Sequence, residues 1–179
     1  MSEVSTAKNS ETPLSPTVKK LGLVSFLADV SSEMLYPITP IFLTTVLHAS
    51  VSSLGFIEGF AEALSSLLRT YSGLWSDRIH NRKTFIWSGY LFSALAKPMT
   101  GTSQSWIHVF CARAFDRTGK GIRTAPRDAL IAESVPSHLR GLAFGWHRLM
   151  DTLGAAVGPL IAVLFLRYSE DLRKIYYLA

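Results

Sequence analysis

The chain has 179 residues, of which 48% are hydrophobic and only 17% charged, with a mean hydropathy of +0.24 and a formal net charge of +5. That is more apolar and less charged than an ordinary soluble domain, and far from the polar composition of a disordered one. A single cysteine, Cys111, excludes a disulfide framework and a cysteine-based metal cluster, and the Lys and Arg are spaced along the chain rather than gathered on one solvated face, which speaks against a nucleic-acid partner.

In chain order, the opening MSEVSTAKNSETPLSPTVKK, residues 1–20, is polar and rich in Ser and Thr, with no apolar run before a cleavage site. It reads as a disordered cytoplasmic tail, not a signal peptide. Five apolar stretches of membrane-spanning size follow, at 21–47, 51–75, 84–101, 105–125 and 141–166. Together they predict an all-α polytopic membrane protein embedded in a lipid bilayer, and not a soluble helical domain. Residues 167–179 then read as a polar connection and the opening of a sixth helix, as in a truncated product.

Basic residues alternate between the connections. Lys8, Lys19 and Lys20 precede the first stretch, Arg78, Arg82 and Lys83 separate the second from the third, and Arg127 and Arg140 separate the fourth from the fifth. The connections His48-Ala49-Ser50 and Thr102-Ser103-Gln104 carry no Lys or Arg. Because Lys and Arg collect in cytoplasmic loops, this places the N-terminus inside, in a cell (inner) membrane. Pro126 and Pro136 bracket the last cytoplasmic connection, with 128–135 as a short interfacial turn or helix.

The fourth stretch is unlike the others. In ARAFDRTGKGIRTAPRD, Arg113, Asp116, Arg117, Lys120, Arg123 and Arg127 fall within about a third of a helical circumference. One charge at the bilayer centre costs about 2.5–3.5 kcal/mol, so this stripe cannot face lipid. Depth counting from the ends of each stretch puts Asp29, Glu33, Glu62, Arg113, Asp116, Arg117 and Asp151 near the middle. Glu58 and Glu62 are one turn apart, and both a polar seam and a transport role fit them. His147 and Asp151 suit a local ion pair, while Arg69 and Lys97 suit snorkelling toward the inner and outer surfaces. No nucleophile–base pair, metal-binding spacing or cofactor fingerprint is present: Gly119-Lys120-Gly121 lacks the Ser or Thr of a phosphate loop. The chain reads as no enzyme, without metal or cofactor.

Three motifs sharpen the class. GLWSDRIHNRK, residues 73–83, places Gly73, Asp77, Arg78, Arg82 and Lys83 on the turn between the second and third stretches. It resembles the G-x-x-x-D-R-x-G-x-R-[RK] signature of the major facilitator superfamily, with His80 at the usual loop glycine. Asn81 tolerates left-handed geometry better, so a slightly different turn is expected. On the fifth stretch, Gly145, Gly154, Gly158 and Pro159 are similar to the G-x8-G-x3-G-P motif of that family's exporters, with Ala162 and Val163 replacing its final glycines. Arg117 with Gly121 also fits the family's fourth-helix pattern.

The resemblance implies five helices of an incomplete N-terminal six-helix bundle of the major facilitator fold. It implies a secondary transporter that exports a small solute in exchange for protons by alternating access. Asp29 and Glu33 would then oppose Arg113, Asp116 and Arg117 across a water-filled path, as the substrate or proton pathway together with Glu62. The missing C-terminal half would come as a continuation or a separate chain. The alternative is a membrane protein that inserts and transports nothing by itself.

Overall fold

A computed structural model describes residues 14–169 and 171–179. Its elements are α1 (Pro16–Leu35), α2 (Ile38–Ile41), a π-helical turn (Phe42–Val46), α3 (Val51–Ile79), α4 (Arg82–Gly101), α5 (Trp106–Glu133), a 3-10 turn (Ser137–Leu139), α6 (Arg140–Tyr168) and α7 (Leu172–Leu178). The described residues contain only helices and their connections, so the fold is all-α.

Several boundaries differ from the sequence reading. Residues 1–13 of the expected tail lie outside the described residues, but Pro16 to Lys20 are helical. Proline supplies the first-turn geometry, and the Ser15 hydroxyl accepts the Thr17 N–H at 3.3 Å. Val18, hidden in a polar stretch, is fully buried against Ile131, Val135 and Ala143. The first stretch is also not one helix. It breaks at Tyr36 and Pro37, since proline removes a helical N–H and disfavours helix at the residue before it.

The largest difference is in α5, which runs through Pro126 to Glu133 instead of ending near 125. Pro126 is buried inside the helix, and the expected interfacial turn at 128–135 is mostly its last turns. Proline is tolerated inside a membrane helix where neighbouring elements cover the disrupted backbone.

Three segments, Pro16–Val46, Val51–Ile79 and Ser137–Tyr168, are each long and apolar enough to cross a membrane. The 20-residue α4 and 28-residue α5 have the length as well, but α5 is amphipathic and its polar face needs cover. It receives it from α3 and α4, which pack along α5, while α1 and α6 pair with each other and face it. Apolar clusters close both ends. Val18, Ile131, Val135 and Ala143 fill the end carrying the α3–α4 turn; Phe42, Leu43, Ile57, Val109, Ile175 and Tyr176 fill the other. The expected sixth helix appears as α7, held by Arg173 donating to the carbonyls of Gly101 at 2.8 Å and Ser103 at 2.7 Å.

Glycine sets how closely these helices approach. A Cβ on Gly154 would stand 2.7 Å from the Phe26 carbonyl oxygen, and one on Gly158 2.6 Å from that of Val30, so both belong to the α1–α6 contact. Gly145, the first glycine of the same motif, has open space around its Cβ position. Gly154→Val and Gly158→Val are therefore expected to destabilise the bundle by about 1–3 kcal/mol each. Gly145→Val should leave the unfolding midpoint in detergent unchanged, which a side-by-side denaturation series checks.

Candidate functional site

The stripe on α5 turns inward along its whole length, and its upper part is tied to α3. Arg113 donates from Nε and Nη2 to Glu58 Oε1 at 2.9 and 2.5 Å, with Asp116 4.0 Å away on its own helix. Arg117 reaches the other Glu58 oxygen only at 3.9 Å, and its Nε is buried with no protein partner. The direct ion-pair partner of Arg113 is Glu58, which leaves Asp29 and Glu33 opposite these arginines without contact. Among the described residues, neither Asp29 nor Glu33 has a cationic nitrogen within ion-pair distance. Both do line a small cavity together with Arg113, Asp116 and Arg117. Glu62 is exposed on α3, one turn from Glu58, without an ion pair among the described residues.

The lower part of the stripe is committed to different neighbours. Arg123 is 4% exposed, donates to Ser93 Oγ at 2.6 Å and lies 4.4 Å over the Tyr90 ring. It anchors α5 to α4 while also lining the cleft between α5 and the α1–α6 pair. Arg127, expected in a cytoplasmic turn, sits within α5 and donates to Ser25 Oγ on α1 at 3.1 Å, while pairing with Asp128 at 3.1 Å. Lys97 does not snorkel outward; it donates to Ser31 on α1 and lines a small cavity with Arg113 and Asp116. Pro98 follows it inside α4, and the Ser31 hydroxyl offers an acceptor that lipid cannot. Arg69 pairs with Asp128 at 3.5 Å.

A larger cleft of about 440 Å³ opens between α5 and the α1–α6 pair. Asp29 and Glu33 enter it from α1, Lys120 and Arg127 from α5, and His147, Arg148 and Asp151 from α6. His147 Nδ1 and Asp151 Oδ2 are 3.3 Å apart. The cleft is polar and offers both signs of charge, with Lys120 and Arg148 in no ion pair among the described residues.

At the α3–α4 turn, Arg82 forks onto Glu133 at the end of α5, with Nε to Oε2 2.9 Å and Nη2 to Oε1 2.6 Å. Its remaining nitrogen reaches Asp77 at 2.7 Å. A bidentate guanidinium–carboxylate pair of this kind fixes orientation as well as distance. Gly73 faces Ala125 closely, Arg78 and Lys83 are exposed, and His80 itself adopts the left-handed conformation, φ 55°, that was expected to favour Asn81. Asn81 instead caps α4 by accepting the Thr84 N–H at 3.4 Å.

A family model described as Major Facilitator Superfamily matches residues 21–179. The chain belongs to the Major Facilitator Superfamily. It is 43% identical over 172 residues to an uncharacterized MFS-type transporter of Methanocaldococcus jannaschii, covering 95% of this chain and 43% of that protein. It is 33% identical over 146 residues to an uncharacterized protein of Mycobacterium tuberculosis, covering 80% of this chain and 35% of that one. A multidrug resistance protein, MdtH, of Photorhabdus laumondii is 26% identical over 137 residues, covering 76% of this chain and 34% of its own length. The chain thus spans less than half the length of each of these relatives. The superfamily is one of membrane transporters and not of enzymes.

Within this superfamily member, two partners escaped the sequence reading. Glu58 was visible as half of a pair with Glu62, but only the helix phase of α3 against α5 separates an inward carboxylate from an outward one. Glu133 lay beyond Pro126, where the helix was expected to have ended.

Glu58→Gln is expected to cost about 1.5–3 kcal/mol, because Arg113 loses its charged acceptor. Glu62→Gln, on the exposed face, should cost under about 0.5 kcal/mol; unfolding both variants in one detergent compares them. At the turn, the hydrogen bond from Arg82 holds the Glu133 carboxyl below its ordinary value of 4.5. A lowered carboxylate contributes its full stabilisation above the unfolded value and loses it as pH falls through the folded one. The stability difference between wild type and Glu133→Gln should accordingly stay level from about pH 8 to about pH 5 and shrink below about pH 4.5, as read by thermal unfolding.

Proposed function

We propose that this chain forms the N-terminal part of a proton-coupled secondary transporter that exports a small solute by alternating access. It sits in the cell's inner membrane with its N-terminus cytoplasmic. The observation that carries the reading is the polar cleft between α5 and the α1–α6 pair, which offers separated carboxylates and cations beside segments long and apolar enough to cross a membrane. Asp29 and Glu33 form the acidic wall of the pathway. Arg117, held only by a 3.9 Å contact to Glu58 and with an unfilled buried Nε, is the arginine free to change partners. Arg113 holds the Glu58 carboxylate that Arg117 would leave, with Asp116 4.0 Å from Arg113.

Lys120 and Arg148 favour an anionic or zwitterionic solute. The name of the multidrug resistance relative supports export. The chain covers 43% of its Methanocaldococcus relative, and a second set of helices, as a continuation or a separate chain, would supply the other wall of the path. The competing reading is a membrane protein that transports nothing alone, and it draws on the same coverage.

Proteoliposomes carrying this chain, with and without the complementary half, are to be screened with anionic, zwitterionic and cationic solutes while an internal dye reports pH. Solute flux with opposing proton flux, abolished by Asp29→Asn and by Arg117→Ala at unchanged insertion, is the expected result. Flux from the chain alone would reject the non-transporting reading, and no flux with the complement present would reject transport. For orientation, Ser50→Cys should react with an impermeant thiol reagent only from the outside, measured in a Cys111→Ser background.

A further inference from the structure

We propose that the His147–Asp151 pair on α6 is the seat of the coupling proton, with the proton exchanging at His147 Nε2. This rests on the proton-coupled reading above and assigns it an atom. His147 is 4% exposed, and its Nδ1 lies 3.3 Å from Asp151 Oδ2. A carboxylate at that distance accepts the Nδ1 hydrogen, which leaves Nε2 as the position that gains or loses a proton. Among the described residues, Nε2 is buried with no hydrogen-bond partner, as is the second Asp151 oxygen, Oδ1. Both residues line the large cleft. A buried polar atom left unfilled by its own protein is costly, and two adjacent acceptors of this kind suit a mobile donor arriving through the cleft.

The α1–α6 contact adds a second carboxylate. Gly154, one turn beyond Asp151, lets the α1 backbone approach so closely that a Cβ there would stand 3.0 Å from Asp29 Cβ. Asp29 therefore faces the pair from across the seam, with Glu33 one turn further along α1. From α5, the pair faces Lys120, Arg123, Arg127 and Asp128, and from α3 Arg69, with Arg148 on α6 itself. Most of these are engaged: Arg123 with Ser93, Arg127 with Ser25 and Asp128, Arg69 with Asp128. The cations left uncommitted are Lys120 and Arg148.

Among the described residues, His147 Nε2 is a buried atom without a partner and neither Asp29 nor Glu33 has a buried oxygen left so, which favours His147 as the carrier. In the step itself, a hydrated proton from the cleft adds to the Nε2 lone pair, the imidazolium charge is balanced by Asp151, and the same N–H bond breaks when the cleft opens to the other side. No other bond changes.

The test is histidine nitrogen NMR on the full chain in lipid nanodiscs. The other four histidines, at 48, 80, 108 and 138, are all exposed, and His147→Gln assigns the signal by deleting it. Across a pH series, His147 should pass from the Nδ1–H tautomer to the doubly protonated ring. Asp151→Asn should move that midpoint to lower pH by at least a tenfold change in proton concentration, and Asp151→Glu should restore it; the Glu variant also stands in if the Asn variant misfolds. A signal that stays in one protonation state across the range, or a midpoint indifferent to Asp151, overturns the assignment. If proton-coupled flux is nevertheless found, the transport reading survives without this seat. Solute flux with no proton movement overturns both.

Discussion

Everything in this bundle follows from the cost of leaving the α5 charges in lipid. Arg113, Asp116, Arg117, Lys120, Arg123 and Arg127 occupy one side of one helix, so α5 can cross a membrane only with that side covered. The cover is not apolar. Glu58 from α3 meets Arg113 and, at 3.9 Å, Arg117; Ser93 and Tyr90 from α4 share Arg123; and Ser25 from α1 takes Arg127. Three neighbouring helices are thus placed around α5 by specific polar contacts, where small residues and shape alone would leave their rotation loosely defined. What the contacts leave over, Lys120 on α5 and the carboxylates of α1, is the polar cleft.

Close backbone approach is the second condition, because short polar side chains reach a neighbouring arginine only across a narrow gap. Gly89 and Gly119 supply it between α4 and α5: a Cβ on Gly89 would lie 2.5 Å from the Gly119 carbonyl oxygen. Gly121 does the same toward α3, 2.7 Å from the Ser65 carbonyl oxygen. The glycines interleaved with the charges of α5 are therefore part of the same device. Each places α5 near the hydroxyl or carboxylate that satisfies the next charge, and a bulkier residue would separate them.

The class of the molecule and the inward turn of the α5 stripe were legible from apolar length and helical phase. Partner identity was not. Depth counting set Asp29 and Glu33 opposite Arg113, and they do share a small cavity with it, yet depth says nothing of rotation about a helix axis and so could not name the residue in direct contact. Glu58 lies at a similar level on α3 and has the phase. Pro126 misled in the same way: proline ends helices in water, where freed carbonyls find solvent, but inside a packed bundle the helix continues and carries Glu133 to Arg82. His80 took the left-handed position ahead of Asn81 because α3 ends there, with its N–H still bonded to the Ser76 carbonyl. A site made by four helices has no local spelling in any one of them.

The proposed exchange of a solute for a proton would set a condition on the cleft. Two ligands counter-move only if binding of one opposes binding of the other at a shared site. Protonation at His147, as proposed, would add positive charge beside Lys120 and Arg148, which by itself would draw a purely anionic solute in and couple the two in the same direction. Opposition would need a positive or hydrogen-donating group on the solute, placed against Asp29 and Asp151 where it displaces the proton. A zwitterion would meet both demands, with its anionic end on Lys120 and Arg148 and its cationic end on the α1–α6 carboxylates. Under that proposal the two signs of charge lining one cleft are a single requirement of the exchange, not separate features that happen to share a wall.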